Sequence, residues 1–219
     1  MPELVDDAEL TRSSVVANNA MNRGRGITSY GRELGLDVAS FLRARGPGAR
    51  WLDLCCGEGH ADIEVGRSLP GVEVVGVDLV DYFAGGEPGN VRWVVSSLAE
   101  LDWAALGKFD LVTCVHGLHY VGDKLGALRS VATVLADGGL FVANFDAASL
   151  RDAGGKALGR HGTATLRAAG FTYDGRGRRI SRTGGAADVE WRWRYLGADD
   201  RVGKNYTGQE AVAGWYARE

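Results

Sequence analysis

The chain reads as an α/β protein built on a doubly wound, mostly parallel sheet. Three observations predict this: apolar runs of strand length, helical or loop segments alternating with them, and polar or glycine residues gathered at the same end of successive runs. With 219 residues, 45% of them hydrophobic, one compact domain with a sizeable core is expected. Residues 1–48 read as an N-terminal helical cap, 49–197 as the core and 198–219 as a C-terminal tail.

The cap is polar at its front, and in "ELGLDVASFLRAR" the residues Leu34, Val38, Phe41 and Leu42 recur at helical spacing before Gly46, Pro47 and Gly48 stop the helix. Strands are then expected at "RWLDLC" (50–55), "VEVVGVD" (72–78), "VRWVVS" (91–96), "FDLVTCV" (109–115) and "LFVANF" (140–145). Several are apolar throughout, as strands covered on both faces are. "LVDYFAGGEPGN" is too rich in Gly and Pro for a helix and reads as a loop. "DKLGALRSVATVLADGG" carries Leu125, Leu128, Val131 and Leu135 on one stripe with Gly138 at its exit, which predicts a helix. "FTYDGRGRRIS" and "DVEWRWRYL" are expected to pair as an antiparallel hairpin through "RTGGAA", because Val189, Trp191, Trp193 and Tyr195 alternate with polar residues. The stretch after Leu196 is polar and rich in turns, and its docking is left open.

Composition removes some functions. A formal charge of −3 argues against a basic nucleic-acid channel. The acidic N-terminus "MPELVDDAEL" has no secretory pattern, and no apolar run is long enough to span a bilayer. Three cysteines, two of them adjacent, make no disulfide framework, so reduced thiols and a cytoplasmic setting are expected. Cys55 and Cys56 have no partner at Cys-x-x-Cys spacing and read as small packed residues. A small-molecule substrate and a monomer or homodimer are the expectation.

Ligands of open α/β sheets bind outside the carboxyl ends of the strands. Those ends hold "CCGEG", Asp78, Ser96 with Ser97, His116 with His119, and Asn144 with Asp146. The glycine turn lets backbone approach a ligand and opens a helix whose N–H groups face it. Asp78 follows Gly57 by about 20 residues, the spacing at which a carboxylate receives ribose hydroxyls, and together they predict an adenosine-bearing cofactor.

In this order, "DLCCGEG", "VVGVD", "FDLVTCVHGLHYV" and "VLADGGLFVANF" resemble the class I S-adenosylmethionine-dependent methyltransferases, over roughly residues 50–146. The resemblance implies a Rossmann-like sheet of about seven strands ending in an antiparallel hairpin. It also implies S-adenosyl-L-methionine as cofactor, S-adenosyl-L-homocysteine as product, and transfer of a methyl group to an O or N atom of a small molecule. Asp53, Gly57 and Gly59 fall on the motif that cradles the cofactor's methionine part, and Cys55 stands where the family most often has glycine. Asp78, followed by Leu79, would hold the ribose. Ser97 and Leu98 fall beside the adenine, Ser97 replacing the usual acidic residue. Cys114 to His119 would line the methyl donor and the substrate mouth. An N-terminal segment closing over the cofactor would offer Tyr30 as a lid aromatic, and Arg23, Arg25 or Arg32 for the methionine carboxylate.

Methyl transfer is an in-line displacement, so positioning dominates and a base is needed only when the acceptor carries a proton. His119, with His116 second, is the expected base. The two histidines could share a helical face with Asp123 as a metal site, but no third ligand is evident and none is assigned. Tyr82, Phe83 and Trp103 could wall the pockets or fill core. Three rivals remain: a dehydrogenase, whose G-x-G-x-x-G turn fails because Asp62 holds the third glycine position; a non-methylating use of the same cofactor, such as cyclisation; and a non-catalytic binding protein.

Overall fold

The computed structural model describes residues 3–17 and 24–219. Its helices and strands, in chain order, begin with α1 (Asp7–Leu10), α2 (Ser14–Ala17), α3 (Ile27–Leu34), α4 (Val38–Arg45), β1 (Arg50–Leu54), α5 (His60–Ser68), β2 (Glu73–Asp78), β3 (Val91–Val95) and α6 (Trp103–Leu106). They continue with β4 (Phe109–Cys114), α7 (Lys124–Thr133), β5 (Leu135–Asn144), β6 (Leu150–Asp152), α8 (Arg160–Ala168), β7 (Thr172–Asp174), β8 (Arg179–Gly184), β9 (Trp193–Asp199) and β10 (Ala213–Arg218).

The main sheet has seven strands in the order β3-β2-β1-β4-β5-β8-β7. The first five run parallel, and β8 is antiparallel to both β5 and β7. The expected Rossmann-like sheet is therefore present, with its antiparallel end. Apolar residues cover both faces, because strand side chains alternate. Leu52, Leu54, Val112 and Cys114 join one cluster with Leu125, Leu128 and Val131 of α7. Trp51 and Leu111 join the other, with Tyr30 and Leu34 of α3 and Val38 and Leu42 of α4.

The expected single cap helix is two. Gly35, left-handed at φ 67°, closes α3, and Asp37 caps α4 by accepting from Ser40 N at 2.9 Å. The front of the chain goes elsewhere: Val5 bridges to Ala198, and Leu10 packs with Ala198 and Val212.

Three further expectations are corrected. The hairpin lies inside "FTYDGRGRRIS", between β7 and β8, because Asp174 accepts from Arg176 N and Gly177 N, each at 3.0 Å, and turns the chain there. "DVEWRWRYL" instead supplies β9 of a second, three-stranded sheet, β6-β10-β9. Leu135 opens β5 opposite Phe109 rather than ending α7, and the register shifts before Leu111 meets Leu140. Gly138 (φ 67°) permits this irregularity, as does Gly139, where a Cβ would stand 2.8 Å from both Ala136 O and Phe109 O. The expected division between core and tail at residue 197 falls inside β9, and the tail docks as β10.

Tyr216 of β10 is fully buried in the α7 face, and its hydroxyl accepts from Leu125 N at 3.2 Å. Replacing Tyr216 with Ala should lower unfolding free energy by about 3–5 kcal/mol, measured by urea denaturation. A loss under about 1 kcal/mol would show the tail to be peripheral to the core.

Candidate active site

The loop between β1 and α5 is a left-handed turn, with Cys55 at φ 57°, Gly57 at 64° and Gly59 at 71°. A side chain at Cys55 is accommodated because its neighbour has none. A Cβ on Gly117 would stand 2.3 Å from Cys55 Cβ and 2.8 Å from Cys114 Sγ, so the atoms present at 55 occupy the room left at 117. Gly59 caps α5, and a Cβ there would meet Trp93 Cη2 at 2.1 Å. Trp93 is itself stacked on Phe83, centroids 4.6 Å apart. Glycine is thus required at 59 by the Trp93 ring as well as by the backbone.

Gly57 N donates to Asp78 Oδ2 at 2.9 Å and Val80 N to Asp78 Oδ1 at 3.2 Å. The carboxylate is held at the rim of a cavity of about 350 Å³ whose wall includes Cys55, Gly57, Asp78, Leu79, Ser97 and Leu98. Leu98 offers an apolar surface beside the Trp103 indole, which also lines the cavity and donates to Leu98 O at 3.2 Å. The size and these contacts fit an adenosine group. Ser97 Oγ is engaged locally with Glu100, donating to its carboxylate and accepting from its N–H.

Asp53 lies behind the turn, away from the cavity wall. It shares the strand face of Trp51 and is fully buried, its Oδ1 accepting from Thr113 Oγ1 at 2.5 Å and its Oδ2 from the Tyr30 hydroxyl of α3. Trp51 Nε1 donates to Thr113 Oγ1 at 2.8 Å and completes the chain. Burial pushes the Asp53 carboxyl up to about 7, against the opposing hydrogen bonds from Thr113 and Tyr30. Burial first and the Asp53 charge second hold the Tyr30 phenol in its protonated, donating form. Tyr30 is therefore a buried clamp on Asp53 and is distant from the role of a mobile lid.

The other expected residues divide. Cys114 is fully buried beneath Gly117. His116, left-handed at φ 61°, places Nε2 3.0 Å from Glu33 Oε2 of α3, and its N–H donates to Asn144 Oδ1 at 3.2 Å. Its Nδ1 is buried without a hydrogen-bond partner. His119 is 2% exposed, with Nε2 3.3 Å from the Tyr206 hydroxyl. Burial, then the neighbouring His116 and Lys124, hold its pKa at about 3. Burial and then Arg25 also lower His116, while Glu33 raises it. Arg25 sits 3.7 Å from Glu33 in an ion pair, Arg32 is exposed, and Arg23 lies outside the described residues. Tyr82 is 62% exposed. No cluster of three metal-capable side chains occurs among the described residues.

Sequence reasoning passed over the cavity's far wall. Tyr120, next to the histidine that drew attention in "LHY", faces the cavity and donates to Gln209 Oε1 at 2.7 Å. Asp7, Leu10 and Thr11 of the N-terminal arm line the same cavity. Only the neighbourhood of Tyr120 to a strand end was a legible signal.

The family model described as "Methyltransferase domain" matches residues 28–206. The chain belongs to this methyltransferase family. Its matched stretch is 33% identical over 100 residues to the ubiquinone biosynthesis O-methyltransferase of Xanthomonas campestris pv. campestris, covering 42% of this chain and 41% of that protein. It is 35% identical over 102 residues to the demethylmenaquinone methyltransferase of Staphylococcus aureus, covering 43% and 42%. The chain thus spans less than half the length of these curated relatives. Among solved structures, the N-methyltransferase NodS of Bradyrhizobium japonicum, in complex with S-adenosyl-L-homocysteine, aligns over 81% of this chain and 97% of its own, with 15% identity and a TM-score of 0.48.

In this methyltransferase-family chain Asp53 binds its proton more tightly folded, at about 7, than unfolded, at about 3.9. Its contribution therefore makes stability fall as pH rises from about 4 to about 7. Comparing urea midpoints of the wild type and Asp53→Asn should show the wild type gaining stability relative to the variant as pH falls from about 7 to about 4. A difference independent of pH would contradict the raised carboxyl.

Proposed function

We propose that the chain transfers the methyl group of S-adenosyl-L-methionine to an O or N atom of a small molecule, releasing S-adenosyl-L-homocysteine. The observation that carries this is the cavity at the carboxyl ends of the parallel strands, with Asp78 held by the glycine turn and Leu98 beside Trp103, in a chain of the methyltransferase family. When bound, the cofactor supplies a sulfonium methyl open to in-line displacement. Asp78 would hold the ribose, and Leu79, Leu98 and Trp103 the adenine side. The turn at Cys55, Gly57 and Gly59 would support the amino-acid portion, with Arg25 near its carboxylate. The name of one relative specifies an oxygen acceptor, which supports O before N.

The base role moves from His119 to His116. A ring whose pKa is about 3 is neutral at pH 7 but a weak proton acceptor. His116 has the Glu33 carboxylate on one ring nitrogen and a partnerless nitrogen on the other, and its depressed pKa leaves it neutral at pH 7. Nδ1 is buried and His116 does not line the cavity, so acceptor binding would have to uncover it before a proton could pass there. The far wall at Tyr120 and the tail at Tyr206 would shape acceptor entry.

A monomer or homodimer acting on a small molecule in the cytoplasm, with no nucleic-acid partner, completes this reading. Three cysteines without disulfides suit a reducing compartment. No helix among the described residues is long and apolar enough to cross a membrane.

Calorimetric titration with S-adenosylhomocysteine should show binding to the wild type and at least about tenfold weaker binding to Asp78→Ala, which loses a charge-assisted hydrogen-bond site. No binding by the wild type would refute the cofactor site. Product mass should show one added methyl group; cofactor consumption without it would indicate another use of the sulfonium. His116→Asn should lower kcat about 100-fold with cofactor affinity kept, and should remove a loss of activity on the acid side of the ordinary histidine range, where the wild-type ring, its pKa lowered by burial, becomes protonated. An unchanged pH profile would reassign the base.

A further inference from the structure

After β4 the chain makes a short helical turn, Gly117–Tyr120, and two successive side chains of it are met by one distant segment. His119 Nε2 lies 3.3 Å from the Tyr206 hydroxyl, and Tyr120 donates its hydroxyl proton to Gln209 Oε1 at 2.7 Å. Both partners belong to the connection between β9 and β10. That connection is folded back on itself: Asn205 N donates to Gln209 O at 2.8 Å, Gly208 N to Asn205 O at 3.0 Å and Ala211 N to Gly203 O at 3.1 Å. Val212 N then donates to His119 O at 2.9 Å and ties the base of this reverse turn to the residue before Tyr120. The Gln209 side chain is therefore carried on a braced support.

A phenol hydroxyl has one proton to donate and lone pairs with which to accept. Burial pushes the Tyr120 phenol above its ordinary value, against a smaller lowering by Arg25, so the proton is present at neutral pH. Gln209 holds that proton. Tyr120 also lines the cavity, together with the apolar side chains Leu10, Val16 and Val121. With its proton directed at Gln209, the hydroxyl can offer a ligand only its oxygen, as an acceptor.

We propose that the Tyr120 oxygen receives the hydroxyl proton of the methyl acceptor, and that Gln209, by holding the Tyr120 proton, makes the site select an apolar, hydroxyl-bearing small molecule over its methyl ether. This rests on the reading of the cavity as a methyl-transfer site. In the transfer the acceptor oxygen bonds the methyl carbon, the methyl–sulfur bond breaks with its electron pair going to sulfur, and the hydroxyl proton passes to a base or to water. The ether so formed has no proton to offer. Two acceptor oxygens then face one another, which loosens the product where the substrate was held. Tyr120 is on this account a catalytic residue, in contact with the acceptor, and Gln209 is a positioning residue that acts through it.

The experiment uses the full chain saturated with S-adenosylhomocysteine, so that the cofactor part is filled and no turnover occurs. The probes are 4-methylphenol and its methyl ether, 4-methylanisole, titrated by ligand-observed NMR. The wild type should bind the phenol about tenfold more tightly than the ether, the worth of one hydrogen bond set against an unpaired acceptor. Tyr120→Phe should weaken the phenol about fivefold and leave the ether within about twofold. Gln209→Leu frees the Tyr120 proton to turn into the cavity and donate to an ether oxygen, so the preference should fall to about twofold or less. Gln209→Glu keeps an acceptor for Tyr120 and should keep the preference. A purely structural role for Gln209 would weaken both probes alike. An unchanged ratio in Gln209→Leu would therefore overturn the proposal, as would equal binding of the two probes by the wild type, or binding of neither. S-Adenosylhomocysteine titrated alone separates the two readings: its binding by the wild type without a phenol preference keeps the cofactor site and removes this proposal, whereas its failure to bind removes both.

Discussion

The side-chain alternation of β1 is the constraint on which the rest of the site depends. Leu52 and Leu54 face α7, so Trp51 and Asp53 must face α3 and α5. A carboxyl group is thereby taken out of water, and an unsatisfied one would cost several kcal/mol. Thr113 on β4 and Tyr30 on α3 satisfy it. Docking Tyr30 on Asp53 also sets where the rest of α3 lies, and Glu33, three residues on, then reaches the His116 ring. One buried acid thus connects the start of the turn to the histidine at the end of β4.

The site has two halves divided by the glycine turn. In front lies the cavity, with Asp78 pinned by backbone N–H groups at its rim. Behind lies the buried Asp53, and the turn between takes its shape from left-handed backbone at Cys55, Gly57 and Gly59. Cys55 departs from the family pattern without distorting it, since Gly117 yields the space its side chain takes. The cavity is closed by parts of the chain distant in sequence. Tyr120 is tied to the tail through Gln209, and Asp7 of the N-terminal arm accepts from Tyr195 of β9 at 3.1 Å.

Much of this was legible in the sequence, and the misreadings are informative. The parallel strands were visible because each is buried on both faces and so apolar throughout. The hairpin was misplaced because the alternation of Val189 to Tyr195 outweighed the "DGRG" turn, although Asp174 alone satisfies two of that turn's N–H groups. Leu135 matched a helical stripe, yet Gly138 and Gly139 allow the strand to begin before the irregularity. His119 attracted the base role by its residue type, while the neighbouring Tyr120 faces the cavity and His119 is turned inward against Tyr206.

What the sequence determined by itself was the order of strands and helices, the glycine turn, and the carboxylate that follows it on β2, because these depend on local periodicity and short spacings. Only the tertiary structure decided which polar groups face the cavity and which are buried. Asp53, Asp62, His116 and His119 all stand near strand ends in sequence, but strand parity, the docking of α3 and the return of the tail determine their surroundings. Those surroundings, through desolvation and the nearness of other charges, determine which of them holds a proton.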